Sequence, residues 1–451
     1  MSDTTAVAGE ASLRREIGIP LGVLIVINAT IGTGIFKTPA KVARLAGSLP
    51  ASMLVWIAGG IVALCGALTL AELAAALPRT GGIYEYLRRA WGPSLGFLFG
   101  WAKLTLLIPS AVGSFAKLGA EALAALAGAP PDPRRDTWVS IALLLACALV
   151  NLLGVRRSAM GQAVITLAKY LGVALLAFLG LALTAHGAVA QDVKPPAFHE
   201  FPTWTGCFTA LVSVMWAYDG WADLASLSGE VRRPERSLPR ALVAGTLAII
   251  VVYLAANLGY ARALGIEGLR RSTTGSHMAA SWLATLTLGD AGRRLMAALV
   301  LVSCVGGCMS SLLTGSRIFV PLATDGLFSR WLGHVTQRSA IPARAVIVCT
   351  LLGVAYVSVR SFEQLTEAFV VGYFPFYMLA VGAVFVLRRR EPNLQRPFRV
   401  PAYPVVPIVF LAGALALMIG AIADADRTAL FPLIVLALGV VVKLAWPRRA
   451  A

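Results

Sequence analysis

The chain has 451 residues and a formal net charge of +17; 58% of its residues are hydrophobic and 14% are charged. Soluble domains carry about 25% charged residues, so this composition excludes an ordinary soluble protein. The positive charge does not indicate nucleic-acid binding either, because the basic residues lie in short connections between apolar segments. The sequence predicts an all-α integral membrane protein that contacts the lipid bilayer and binds no nucleic acid.

Apolar windows long enough to cross the hydrocarbon core, about 20 residues each, recur about twelve times. The predicted spans are residues 17–45, 49–77, 94–127, 137–154, 158–185, 204–230, 239–262, 291–322, 342–360, 363–387, 403–423 and 428–446. Residues 1–16 lack the apolar core and cleavage site of a signal peptide, so they are interpreted as a cytoplasmic N-terminal tail. Arginines concentrate in the even-numbered connections, as at Arg88, Arg156 and Arg388, and the positive-inside rule therefore places both termini in the cytoplasm.

The first span contains the motif NATIGTGIF, from Asn28 to Phe36. A glycine costs a helix about 1 kcal/mol relative to alanine, and Gly32 and Gly34 flank the β-branched Thr33 at mid-span. We expect the helix to break here. Non-helical backbone inside a membrane must face protein, water or a ligand, so the break indicates a binding site. The alternative is that the glycines let two helices pack closely.

Four features follow before the sixth span. Residues Ile83 to Ala90 are predicted to form a short amphipathic helix on the cytoplasmic face. On the third span, Lys103 is expected to extend its ammonium group to the headgroups, and Pro109 is expected to kink the helix. Lys169 lies about 16 Å into the fifth span, near the membrane centre. An ammonium group at that depth predicts a functional role, with a lysine that reaches the interface as the alternative.

The sixth span repeats the interruption in the motif WAYDGW, Trp216 to Trp221. Gly220 is expected to break the helix near mid-span. Two roles remain open for Asp219: an N-cap for the half-helix that follows, or a carboxylate that takes part in binding or protonation.

Gly34 and Gly220 each lie in the first span of a five-span block, residues 17–185 and 204–390. Interrupted helices at corresponding places in two inverted halves are typical of secondary transporters. The predicted fold is a 5+5 inverted repeat with discontinuous first and sixth helices. Two further helices in residues 401–446 would serve as scaffold or oligomer surface, and we expect a monomer or a weak homo-oligomer.

Other side chains give no support for an enzyme. The six cysteines lie in predicted spans and offer no disulfide framework. The histidines fall in or near connections, without metal or nucleophile–base spacing; they are His186, His199, His277 and His334. The sequence predicts no cofactor, no metal site and no catalytic residue.

Several longer motifs occur together along nearly the whole chain. They are IGTGIF in the first span, AELAAALPRTGGIYEYLRRAWG after the second, ITLAKYLG in the fifth, WAYDGW in the sixth, GEVRRPERSLPRA after it and SLLTGSRIFVPLATDGL in the eighth. With these motifs the chain resembles transporters of the amino acid–polyamine–organocation (APC) superfamily. It is most similar to the L-type amino acid transporter branch and its bacterial relatives, which implies a LeuT-like fold.

The resemblance implies a substrate site at the two interrupted helices. Its residues would be Thr30, Ile31, Gly32, Thr33, Gly34, Trp216, Ala217, Tyr218, Asp219 and Gly220. The amides around Thr33 would bind the substrate α-carboxylate, while the carbonyls of Thr30, Trp216 and Asp219 would accept its α-ammonium. Trp216 and Tyr218 would line or gate the side-chain pocket.

The resemblance also bears on coupling and partners. Lys169 would stand where sodium-coupled relatives bind sodium, near the Asn28 carbonyl and Ser311, as in sodium-independent members. The connection APPDPRRDT lacks the cysteine by which animal L-type subunits join a glycoprotein. We therefore expect no disulfide-linked heavy chain, and a bacterial inner membrane as the location.

Together these features predict a secondary active transporter of small neutral L-amino acids, working by alternating access as a sodium-independent exchanger or proton-linked carrier. Asp219 leaves open a cationic amino acid or polyamine. A non-transporting amino acid sensor is the alternative from another class. A bulky residue at Gly34 is expected to abolish binding while leaving the protein folded. Lys169→Ala is expected to cripple transport without conferring sodium dependence.

Overall fold

A computed structural model describes residues 17–79, 81–153, 172, 204–272, 278–336, 341–423 and 430–445. Within these ranges, seven helices are long and apolar enough to cross a membrane, and one bent pair of helices meets the same criterion together. Two further apolar helices, Ala343–Val359 and Leu430–Ala445, are shorter. The all-α membrane fold is confirmed, while the number of spans and the inverted repeat stay predictions.

The helices follow the predicted spans closely. They are α1 Ile19–Thr30, α2 Gly34–Ala46, α3 Leu49–Ala76, α4 Ile83–Trp91, α5 Pro93–Ala102, a π-helical segment Lys103–Leu107, α6 Ile108–Leu126, α7 Pro133–Leu152, α8 Trp204–Tyr218, α9 Asp223–Ser226, a 3-10 turn Ser228–Glu230, α10 Pro234–Arg271, α11 Ala279–Ser316, α12 Phe319–Thr324, α13 Ala343–Val359, α14 Phe362–Arg390, α15 Val405–Ala423 and α16 Leu430–Ala445. The fifth predicted span, with Lys169, lies outside the described residues.

The first span is broken where the glycines predict it. The helix α1 ends at Thr30, α2 begins at Gly34, and the two are bent by 49°. Ile31, which closes α1, has a non-helical ψ of 86°. The sixth span is likewise interrupted between Tyr218 and Asp223, with Gly220 at φ +114°. Both predicted breaks are confirmed.

The third span deviates from an α-helix just before Pro109. A proline has no N–H and clashes with the carbonyl four residues earlier, here that of Thr105. The π-helical segment Lys103–Leu107 absorbs this misfit. The Thr105 carbonyl accepts a hydrogen bond from the Tyr356 hydroxyl at 2.5 Å, so the freed acceptor is satisfied from α13. The distortion expected at Pro109 therefore falls in the turn that precedes it.

The helix α4 confirms the predicted amphipathic segment and lies at one end of the bundle. Its Arg89 pairs with Glu391, which follows α14, at 2.6 Å. The hydrogen bond from Arg89 holds the pKa of Glu391 below its usual range. Trp91 donates from its indole nitrogen to the Leu379 carbonyl of α14 at 2.9 Å. We call this end of the bundle the α4 side.

Two polar contacts tie distant parts of the chain together on this side. The Ile17 N–H donates to the Glu230 carbonyl at 3.0 Å, and the Arg232 N–H donates to the Ile17 carbonyl at 2.8 Å. The start of the first span is thereby fixed to the end of the sixth. Glu72 of α3, only 1% exposed, accepts from Arg388 at 2.6 and 2.9 Å and so joins α3 to α14.

Candidate functional site

The two helix breaks pack directly against each other, backbone to backbone. A Cβ atom added at Gly34 would lie 2.5 Å from the Cα of Ala217. One added at Gly220 would lie 2.6 Å from the carbonyl carbon of Ala29. These distances leave no room for a side chain, so each break needs its glycine for close contact as well as for its conformation.

Tyr253 of α10 connects the two breaks through its hydroxyl. The oxygen lies 2.9 Å from the Thr30 carbonyl and 3.0 Å from the Ala217 carbonyl, and the side chain is completely buried. These carbonyls lie where helices α1 and α8 approach their ends, so they lack full intrahelical partners. Sequence analysis missed Tyr253, because a single tyrosine within a uniformly apolar span carries no signal of its own.

A cavity borders both breaks and extends toward the α4 side. It offers about 120 Å³ to the centres of water-sized molecules. Since one water needs roughly 10–15 Å³ on this measure, the space suits a molecule of small amino acid size. Of the predicted site residues, those that line it are Asn28, Thr30, Gly32, Thr33, Gly34, Trp216, Asp219, Gly220 and Ser311.

The first break, between the end of α1 and the start of α2, presents unpaired polar groups to this cavity. The backbone N–H groups of Thr33 and Gly34 make no backbone hydrogen bond within the described ranges. The Thr33 hydroxyl and the Asn28 side-chain oxygen are buried and have no hydrogen-bond partner among those residues. Buried polar groups are normally hydrogen-bonded, so these orphan groups indicate a polar ligand at the helix start.

Three predicted site residues do not line the cavity. Ile31 is 2% exposed, and Ala217 packs against Gly34. The ring of Tyr218 packs between Trp56 and Tyr253, at centroid distances of 5.8 and 5.2 Å, so its role in lining or gating the pocket stays a prediction. A helix turns by about 100° per residue, so the residues beside Trp216 face away from the cavity that Trp216 lines.

Asp219 does not act as the predicted N-cap. The N-cap position of α9 belongs to Ala222, and no side chain caps that helix. Instead Asp219 accepts a hydrogen bond from the Tyr377 hydroxyl at 2.8 Å and lines the cavity, as does Asp223 one turn later. Of the two roles considered, the structure excludes capping.

Lys103 is also placed differently from the expectation. Its ammonium group does not extend to the headgroups but lies 4.2 Å from the ring centroid of Tyr373, beside the cavity. Lys103 lies at the junction between α5 and the π-helical segment. The same cavity is therefore lined by Lys103, Asp219 and Asp223. Their spacing along the sequence did not reveal this arrangement.

Aromatic rings separate this cavity from a second one on the opposite side. Trp216 packs on Phe115 and Phe369 at centroid distances of 5.9 and 5.1 Å and borders both cavities. In the second cavity Lys37 of α2 pairs with Glu121 of α6 and Glu363 of α14, each at 3.0 Å. We call these three residues the Lys37 bridge.

Comparison with known proteins gives consistent matches over the whole length. The family model described as amino acid permease matches residues 23–442. The serine/threonine exchanger SteT of Bacillus subtilis (strain 168) is 30% identical, over 89% of this chain and 90% of that protein. The mouse (Mus musculus) b(0,+)-type amino acid transporter 1 is 28% identical, over 91% of this chain and 83% of its own. Mouse large neutral amino acids transporter small subunit 2 is 29% identical, over 91% of this chain and 77% of that protein.

Proposed function

This chain belongs to the amino acid permease family, and on that premise we propose that it exchanges small neutral L-amino acids across a membrane by alternating access, without sodium. The observation that supports this most directly is the start of α2, where the N–H groups of Thr33 and Gly34 make no backbone hydrogen bond among the described residues and border a cavity of amino acid size. A helix N-terminus favours an anion. The substrate α-carboxylate is proposed to bind there, at Thr33 and Gly34.

The α-ammonium group is proposed to bind beside the carboxylate, between the two breaks. The Thr30 carbonyl already accepts from Gly32 at 2.7 Å and from Tyr253 at 2.9 Å, which occupies both of its lone pairs. The unpartnered side-chain oxygen of Asn28 is the better acceptor, together with the carbonyl of Trp216. The side chain would then lie near Ser311 and Phe115.

Alternating access requires that the two cavities open in turn. Trp216 with its two phenylalanine partners separates them, and the Lys37 bridge holds α2 against α6 and α14 on the far side. We propose that the α4 side is cytoplasmic, since Arg88 and Arg89 lie there. Both termini would then be cytoplasmic, in a bacterial inner membrane as the SteT relative suggests, with no disulfide-linked partner.

Uptake by purified protein in liposomes tests the proposal. Liposomes preloaded with unlabelled serine should accumulate labelled serine by exchange, with sodium or with choline outside. An amino acid sensor built on this fold would bind serine, seen as thermal stabilisation, without exchange. Exchange of arginine but not of serine or threonine would favour the cationic alternative and overturn the neutral assignment.

A further inference from the structure

The cavity holds an unbalanced set of charges. Among the described residues that line it, the charged ones are Lys103, Asp219, Asp223 and Arg317. Arg317 pairs with Glu230 at 3.1 Å, so its charge is already compensated. The remaining two carboxylates face a single ammonium group, which leaves one negative charge in an apolar protein interior. Such a charge is costly unless a positive charge joins it.

These three groups lie close together but do not form ion pairs. Both carboxylates are near enough to interact electrostatically with the Lys103 ammonium, yet within the described ranges neither pairs with it at the 4.0 Å limit for a salt bridge. The ammonium group lies over the rings of Tyr373 and Phe99, at 4.2 and 5.6 Å from their centroids. All three residues line the cavity.

Asp219 links this group of charges to the breaks. It directly precedes Gly220, and its carboxylate accepts from Tyr377, whose ring stacks on Tyr373 at 4.2 Å. The helices around it contribute Lys103 from the third span, Asp223 from α9, and the two tyrosines from α14. Lys169 lies outside the described residues. A change of charge on Asp219 or Asp223 would therefore alter the electrostatic field at the contact between the two broken helices.

We propose that Lys103, Asp219 and Asp223 form a proton-binding site, and that the transporter carries one proton with each neutral amino acid when no exchange partner is present. This inference rests on the proposed function. In the step, an O–H bond of a hydronium ion on the open side breaks and an O–H bond forms on a carboxylate oxygen of Asp219 or Asp223. The proton returns to water on the other side, and no bond of the amino acid changes. The site goes from one net negative charge to neutral.

A proton fits this site better than other cations do. A metal ion needs several oxygen ligands at once, and the Lys103 ammonium would repel it. A cationic substrate side chain meets the same repulsion. A proton needs a single carboxylate oxygen, which both aspartates offer.

The test uses full-length protein in liposomes without internal amino acid and with a pH-sensitive dye inside. With an acidic outside, serine should accumulate and the lumen should acidify. In Asp223→Asn, the ratio of gradient-driven uptake to serine exchange should fall about tenfold, since one carboxylate is lost. Asp290→Asn, an exposed carboxylate paired with Arg293 on α11, is the control that should behave like wild type.

A second variant gives a readout that does not depend on Asp223. Lys103→Gln removes the positive charge that opposes proton binding, so the pH profile of gradient-driven uptake should shift to higher pH by about one unit. An unshifted profile would overturn the proposal. So would serine exchange by the wild type in preloaded liposomes together with no acidification of liposomes that contain no amino acid, a result that would leave the proposed exchanger intact. Absence of any exchange would instead refute the proposed function.

Discussion

At the residue scale, the two glycines of the first motif have different surroundings. The sequence correctly predicted a break, and both residues line the cavity. It did not predict that Gly34 lies against Ala217, because contacts between distant segments leave no trace in the pattern of one span. The expectation that a bulky residue at Gly34 leaves the protein folded therefore has to be corrected.

Gly34→Ala should lower both stability and binding. Its Cβ would lie 2.5 Å from the Ala217 Cα, and such overpacking costs about 1–3 kcal/mol. Gly32→Ala is the matched control, since its nearest contact is Phe115 at 3.6 Å. Melting temperatures in detergent, with and without serine, check both variants. Equal stability of the two would contradict the close packing of the breaks.

Tyr253→Phe should weaken the protein and slow transport. Removal of the hydroxyl leaves the Thr30 and Ala217 carbonyls without that donor, at a cost of about 1–3 kcal/mol. Tyr260→Phe on the same helix is the control, because the Tyr260 hydroxyl is buried and has no partner among the described residues. That change should be neutral or stabilising. If both variants melt alike, Tyr253 does not hold the breaks together.

At the scale of the helices, the spans were predictable because length and hydropathy determine them. The second predicted span, residues 49–77, agrees with α3, Leu49–Ala76. The position of the π-helical segment was not predictable. A proline indicates that the helix must be distorted, but not in which turn. The direction of the Lys103 side chain was not predictable either, and so the charge that it brings to the cavity was missed.

The Lys37 bridge should limit access to the binding cavity from the side of the membrane opposite the α4 side. Its two pairs are partly exposed, and such pairs contribute up to about 1 kcal/mol each. Lys37→Gln should therefore raise the labelling rate of a cysteine at Ser311 by a membrane-impermeant reagent from that side, several-fold. Glu121→Gln retains the pair with Glu363 and should have a smaller effect. Equal labelling in all three proteins would exclude a closing role.

At the scale of the whole molecule, the family and the membrane fold were accessible from motifs and hydropathy. Nine of the predicted substrate and coupling residues line one cavity. The helix breaks could be recognised from their glycines, while the roles of the individual residues were implied by the family resemblance. Side chains that reach the cavity from other spans, such as Lys103 and Tyr373, were not recognised. Their direction depends on helix rotation, which uniformly apolar spans do not encode.

Serine or threonine should raise the melting temperature of the purified protein, and a large cationic amino acid should not. A ligand that binds the folded state at 100 times its Kd stabilises it by about 2.7 kcal/mol. A screen of the common amino acids by thermal shift checks this. Stabilisation by arginine alone would contradict the small neutral assignment.

Replacement of external sodium by choline should leave serine uptake unchanged. The family resemblance implies that Lys169, which lies outside the described residues, stands where sodium-coupled relatives bind the ion. A fixed ammonium group at that place would make a dissolved sodium ion unnecessary. Uptake into liposomes at equal ionic strength makes the comparison. A large loss in choline would refute sodium independence.

The contact between the breaks also restricts how the molecule moves. Where Gly34 meets Ala217, and Gly220 meets Ala29, main chains touch without intervening side chains that might slide or repack. A shared tyrosine hydroxyl spans the same junction. The first and sixth spans are therefore expected to tilt as a single rigid body. One hinge would then open the pathway, while the geometry of the proposed binding site for the zwitterion stays unchanged.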